Sequence, residues 1–150
     1  MKLSSESGGT AGRVIYRQWK LPGLEYRSDL IGGDYMRRWV IRTILGTIRL
    51  HHILRGDSDR DFHDHPMSFL SIIIFGGYIE YRPSGIRKRF LPGSIVIRKA
   101  EDLHRLQLLK KSAWTLVFAL PVRRKWGFMT EDGWIVAGEY DAWKNKKGLA

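Results

Sequence analysis

Apolar positions along the chain recur with a period of two or gather in short unbroken runs that end at Gly, Pro or Asp. Strands read this way, because successive strand side chains point to opposite faces. MRRWVIRT and TIRLHHILR are two extended stretches meeting at Gly46. In the second, Ile48, Leu50, His52 and Leu54 share one face, which predicts an inward His52, hydrogen-bonded in the core or touching substrate, and an outward His51. FLSIIIF is almost continuously apolar, as in a strand covered on both faces, and Gly76-Gly77 lets the chain bend before YIEYR. PSG is a turn, RKRFLPG leads into SIVIRK, LHRLQLL alternates, and AWTLVFAL stops at Pro121. WGFMTEDGWIVAGEY holds a Glu-Asp-Gly turn between two aromatic segments and predicts a final hairpin or flap. About eight short strands with few helix signatures predict an all-β sandwich or jelly roll.

The 150 residues suit a single domain. Its expected parts are a flexible tail over 1–12, rich in Ser, Gly and Thr, a β-barrel over 13–143 and a basic tail over 144–150. No window approaches the roughly 18 apolar residues of a membrane span. MKLSSESGGTAGR lacks the apolar centre of a secretory signal, so a cytoplasmic location and no membrane partner are expected.

Composition narrows the chemistry. The chain has no cysteine, which excludes disulfides, thiolate metal sites and cysteine nucleophiles, and leaves histidine and carboxylate as metal ligands. The formal charge is +11, but the basic residues form short clusters spread over the chain, among them Arg37-Arg38, Arg87-Lys88-Arg89 and Arg123-Arg124-Lys125. That distribution predicts a solvated basic surface, with non-specific nucleic-acid contact as the alternative. Trp126, Phe128 and Trp134 beside the last cluster either stack bases or close the end of the barrel. The chain has no nucleophile elbow, phosphate loop or dinucleotide fingerprint.

All five histidines lie between His51 and His104. His63 and His65, two apart in DRDFHDHP, present two imidazoles to one volume if the segment is extended, as a metal requires; ordinary strands carry such pairs too. Around them, Gly56 precedes His63, Gly76 follows His65 by eleven residues, and His104 follows Gly93 by eleven. These positions resemble the two motifs of the cupin family, in which a glycine, an H-x-H pair, a glutamate and a glycine are followed by a second glycine and a later histidine. The string from LHHILRGDSDRDFHDHPMSF through GGYIEY to WGFMTEDGW is also similar to a group of small cupin-like proteins of bacteria and their phages.

The resemblance implies a cupin-like jelly-roll β-barrel in which His63, His65 and His104 hold one divalent transition metal, Fe(II) first, with Zn, Ni or Mn as alternatives. This chain departs from the motifs at Phe69, where the family often has its ligating glutamate, and at Lys99 and Glu101, where the second motif often has proline and glycine. A neutral three-histidine set resembles that of thiol dioxygenases, implying an Fe(II)-dependent oxygenase acting on a small anionic substrate or ligand. A metal-assisted isomerase or hydrolase is the second enzymatic reading. The rival from another class is a cupin shell that binds a small ligand, nucleic acid or a partner without catalysis, and a homodimer fits either.

The remaining candidates follow from position. Phe69 has the parity of His63 and His65 and is expected in the same cavity, touching substrate. Arg98 and Arg105 flank the second motif and Arg55 leads into the first; they clamp a substrate carboxylate or are solvated at strand ends. Asp61, Glu80 and His52 are the candidates for a catalytic role. Asp61 either replaces the missing glutamate or, like Asp64, accepts a hydrogen bond from an imidazole. Glu80 lies beyond the Gly76-Gly77 bend on a face that periodicity leaves open, and Asp57 and Asp59 are expected in a surface loop.

Overall fold

A computed structural model describes residues 5–6, 13–31, 34–57 and 61–149; most of the expected N-terminal tail, and Asp59, lie outside the described residues. In chain order the strands are β1 (Ser5–Glu6), β2 (Arg13–Leu21), β3 (Leu24–Ile31), β4 (Met36–Thr43), β5 (Gly46–Ile53), β6 (Phe62–His63) and β7 (Phe69–Phe75). They continue as β8 (Tyr78–Tyr81), β9 (Arg87–Phe90), β10 (Ile95–Arg98), β11 (Arg105–Leu108), β12 (Ala113–Ala119), β13 (Gly127–Thr130) and β14 (Gly133–Val136), followed by helix α1 (Ala137–Lys147). All pairings are antiparallel. One eight-stranded sheet runs β1-β2-β3-β4-β5-β12-β7-β10, and two three-stranded sheets, β11-β8-β9 and β14-β13-β6, complete the molecule. The all-β barrel is as expected; the three N-terminal strands and the helix were not foreseen.

The centre of the large sheet decides where the site lies. β12 pairs with β5 through Leu116↔Leu50, Thr115↔His51 and Val117↔Arg49, and with β7 through Val117↔Ser71. Thr115, Val117 and Ala119 face inward, so their partners Arg49 and His51 do too, and all five line an interior cavity. The other face carries Ile48, Leu50 and His52. The phase expected for β5 is therefore reversed: His51 points inward, and His52 lies outside, stacked on Trp114 with ring centroids 4.2 Å apart. The physical reason is that the barrel encloses a polar cavity rather than a closed apolar core, so the more apolar stripe marks the outer face.

Apolar packing is divided among three clusters around this cavity. Ile73, Tyr78, Phe90 and Val96 form one, with Leu106 and Leu108 against them. Met67, Val117 and Ala119 form a second with Phe69, and Phe128, Ala137 and Tyr140 form a third with Trp126 and Trp143. At the bend after β7, Gly76 has φ +78°, and a Cβ there would lie 2.1 Å from the Ser112 carbonyl oxygen; only glycine fits.

The basic segment from residue 144, expected as a tail, begins within α1. Lys144, Lys146 and Lys147 occupy the helix's last turn, where their charge is favourable to the helix dipole, and Gly148 closes it at φ +68°. Tyr140 anchors α1 by stacking on Phe128 at 3.8 Å. Among the described residues no helix is long and apolar enough to cross a membrane.

Candidate metal centre

His63 ends β6, and His104 forms a two-way backbone bridge with it: each N–H donates to the other's carbonyl, at 2.9 and 3.0 Å. The His65 N–H donates to the Ala100 carbonyl at 2.8 Å. Backbone pairing thus fixes all three histidines against one another. One ring nitrogen from each lies within 4.8 Å of the others, and no other such group of three metal-ligating side chains occurs among the described residues. The rings meet edge-on, with centroids 4.9 to 5.2 Å apart.

The chemistry of the donors fits a divalent ion. His65 Nε2 and His104 Nε2 are 2.7 Å apart. Two imidazole nitrogens each about 2.0–2.1 Å from a common ion lie about 3 Å apart when they are adjacent ligands, so little movement separates this arrangement from a coordinated one. Burial, then the nearby His104 and His63, holds the His65 pKa well below its ordinary value. Its ring is therefore neutral, the form that ligates.

Glu80 supplies the anchor. The carboxylate is buried and accepts a hydrogen bond from His104 Nδ1 at 2.9 Å, which leaves Nε2 as the nitrogen aimed at the site. Burial works to raise the Glu80 pKa, but the hydrogen bonds and charges of His104 and Arg98 outweigh it and hold the carboxyl below its ordinary value. An ionised carboxylate behind a ligating imidazole fixes the ring and strengthens it as a donor. Asp57 stands behind His63, with Oδ2 3.8 Å from Nδ1, and is itself held by the Tyr35 hydroxyl at 2.7 Å. It is no free surface loop residue, because the Leu106 N–H also binds it.

The three histidines open onto a cavity of about 260 Å³ inside the barrel. Its polar lining includes Arg38, Arg49, His51, Ser71 and Thr115; among the described residues no aspartate or glutamate lines it. Phe69 also lines it and meets the His65 ring edge-on at 4.8 Å, so an apolar ring occupies the side where the motif's glutamate would stand. A wider open groove of about 540 Å³ along α1, lined by Trp134, Trp143, Glu139 and Lys146 among others, contains no histidine.

Comparison with solved structures places this architecture. A cupin-2 domain protein of Rhodospirillum rubrum superposes over 89% of this chain and 95% of its own, with a TM-score of 0.55 and 16% identity. A conserved protein with a double-stranded β-helix domain from Klebsiella pneumoniae matches 64% of this chain and 85% of its own, with a TM-score of 0.50 and 19% identity. The fold is a cupin fold. A DMSP lyase of Ruegeria pomeroyi DSS-3 is similar over 59% of this chain and 48% of its own, with a TM-score of 0.50 and 16% identity. No protein-family model and no curated protein sequence matches the chain.

Within the cupin barrel the other candidates are engaged elsewhere. Asp61 accepts the Tyr140 hydroxyl at 2.9 Å, tying the loop before β6 to α1. Asp64 accepts bonds from the Gly127 N–H, Arg124 and Trp134 Nε1, and so joins the β14-β13-β6 sheet to the loop carrying His65; neither aspartate bonds an imidazole. Arg98 is turned onto Glu80, away from the cavity, because a buried carboxylate with one imidazole partner needs a cation to balance it. Arg105 lies over Phe62 and Tyr81, and Arg55 pairs with Asp34 at 2.8 Å. Of the aromatics weighed for base stacking, Trp126 lines the cavity, Phe128 stacks on Tyr140 and Trp134 is bonded to Asp64. Arg38 and Arg49 were not among the expected site residues; the signal for Arg49 was the polar half of the alternation in β5, the face taken as solvent.

Proposed function

We propose that this cupin-fold protein holds one divalent transition metal, Fe(II) before Zn, Ni or Mn, through His63, His65 and His104, and is an oxygenase acting on a small anionic substrate. The observation that supports it is the convergence of three ring nitrogens on a small interior cavity, with the far nitrogen of His104 held by a buried, ionised Glu80. When bound, such a metal supplies a Lewis-acid and redox centre with positions open to substrate and oxygen. Three neutral imidazoles leave its charge uncompensated, which favours an anion in the cavity. Phe69 and Met67 keep the site dry on the β7 side, and Trp126 closes part of the opposite wall.

Metal analysis tests the first part. The purified protein is expected to carry close to one equivalent of metal, and the His63→Ala/His65→Ala double variant none. Unchanged metal content in that variant would refute the site. Oxygen uptake with small anionic candidates, after anaerobic loading with Fe(II), separates the oxygenase from a shell that only binds. Phe69→Glu should hold metal at least tenfold more firmly while abolishing uptake, because the new carboxylate fills a position that substrate or oxygen needs.

A further inference from the structure

The β5 wall of the cavity holds a cation without a carboxylate in salt-bridge contact. Arg49 donates from Nε to Thr47 Oγ1 at 2.8 Å, and Nη2 reaches only the thioether sulfur of Met67 at 3.8 Å. Among the described residues no carboxylate lies within salt-bridge distance of its guanidinium, whereas neighbouring Arg38 is held by two bonds, each 3.0 Å, to buried Asp29. Burial, and then the charges of Arg38, Arg27 and Arg42, offset in part by Asp29, lowers the Arg49 pKa to about 10. At neutral pH the group stays charged, in surroundings that disfavour the charge.

Two residues along β5, on the same face, His51 points into the cavity beside it. Its Nε2 is shielded from solvent and has no hydrogen-bond partner, alone in this respect among side-chain nitrogens and oxygens of the described residues. Buried polar groups are normally satisfied, and one left open beside a cation with no carboxylate partner is a place for a ligand or an ordered water to complete. Ser71 and Thr115 add hydroxyls to the lining, and Ile53, Val117 and Phe69 supply its apolar part.

We propose that Arg49 and His51 form a carboxylate-binding subsite, and that the molecule held in this cavity is a small monocarboxylate whose acid group docks on β5 while its other end faces the three histidines. The proposal deepens the metal-centre reading and rests on it for the second half. A single unpaired guanidinium plus one imidazole N–H matches one carboxylate, in charge and in number of donors, better than a phosphate dianion. At about 260 Å³ the cavity restricts the ligand to a short chain. Arg49 is at once the charge that attracts the ligand and the residue that fixes its direction, since a guanidinium forked onto a carboxylate has one preferred plane.

Butyrate, its uncharged isostere butyramide and inorganic phosphate are the probes, titrated by NMR or calorimetry into protein stripped with EDTA and into Zn-loaded protein. Butyrate is expected to bind at least tenfold more tightly than butyramide or phosphate in the stripped protein. Arg49→Met should erase that preference, and His51→Leu should weaken butyrate at least fivefold, both with metal stoichiometry unchanged. Arg49→Met should also raise the melting temperature of the ligand-free protein, because it removes an uncompensated buried charge; a structural arginine would lower it. Equal binding of butyrate and butyramide, tighter binding of phosphate, a preference that survives Arg49→Met, or a lowered melting temperature each overturns the proposal. Should Arg49→Met not fold, the wild-type ratio and His51→Leu still decide it. 4-Mercaptobutyrate, which adds a thiol donor at the far end, reports on the metal half: its affinity should rise at least tenfold on Zn loading. Carboxylate selectivity in a protein that takes up no metal would break the metal-centre reading and leave the subsite standing.

Discussion

The two faces of the eight-stranded sheet differ in the opposite sense to a simple globular core. Its inner face carries Thr47, opposite Ala119, and Arg49, His51, Ser71 and Thr115, which line a cavity. Its outer face carries a cross-strand row, Trp19, Tyr26, Ile41, Ile48, Phe118, Leu70 and Ile97, each opposite the next. Several members of that row are far from covered: Ile41 is 43% exposed, Ile48 40%, Phe118 42% and Ile97 68%. The difference means that the interior gives up burial around a polar cavity, the place the proposal assigns to a ligand, and that apolar packing lies in the clusters flanking it. Polar groups inside are costly unless paired, so each one without a partner marks a place where something else is to bind.

Breaking the best-paired polar group inside should have the largest effect. Glu80→Ala leaves Arg98 buried without its carboxylate and frees the His104 ring, and is expected to destabilise by about 3–5 kcal/mol, as loss of one partner of a buried ion pair does. Denaturant unfolding measures it, and metal affinity should fall about 10–100-fold alongside. A loss under about 1 kcal/mol would mean that the pair does not organise the site.

Acid tests the same interior more gradually. Burial holds both His51 and His65 well below their ordinary pKa. The unfolded chain takes up protons near pH 6.5 while the folded one does not, so metal-free protein should keep full stability above that pH and lose it as pH falls below. The slope approaches about 1.4 kcal/mol per pH unit for each histidine and flattens once the depressed folded values are reached. His51→Leu should remove about half of that slope in unfolding curves recorded between pH 7 and 5.

Removing the unpaired charge acts in the other direction. Arg49→Met is expected to stabilise the ligand-free protein by about 1–2 kcal/mol in denaturant, within the range seen when buried charge gives way to apolar volume. The outer face completes the series: Ile48→Thr and Phe118→Thr, at half-exposed positions, should each change stability by less than about 1 kcal/mol. An outer-face effect equal to that of Glu80→Ala would erase the contrast between the faces.

Much of the architecture was legible in the chain. Period-two runs and Gly-Pro punctuation located β4, β5 and the strands from β7 to β12, and the Glu-Asp-Gly turn marked the last hairpin, while the two-residue β6 left no such run. His63, His65 and His104 were legible as a group through the resemblance of their positions, with Gly76 and Gly93, to the cupin motifs, and the fold brings them together. The phase of β5 was not, because Ile48, Leu50 and Leu54 indicate which face is apolar and not which face is inside. Nor could local pattern reveal that Glu80 stands behind His104 or Asp57 behind His63. Those contacts join β8 to the segment entering β11, and the loop before β6 to β11, and depend on how the sheets close. The helix escaped because Tyr140 ended an aromatic segment taken for the last hairpin, while stacking on Phe128 is what fixes Tyr140.

The bridge between His63 and His104 also bears on how the protein is made. His104 follows His65 by 39 residues, so during synthesis at about 5–20 residues per second the first two imidazoles precede the third by roughly 2–8 s. Two imidazoles on an unpaired segment are a poor trap for a metal, and β6 has no partner until residues near 104 and 128 arrive. The three-histidine pocket is therefore assembled late, by the same long-range pairing that closes the barrel. If it holds a metal as proposed, nascent chains leave the ribosome without one, and the choice of ion falls to whichever meets the finished barrel.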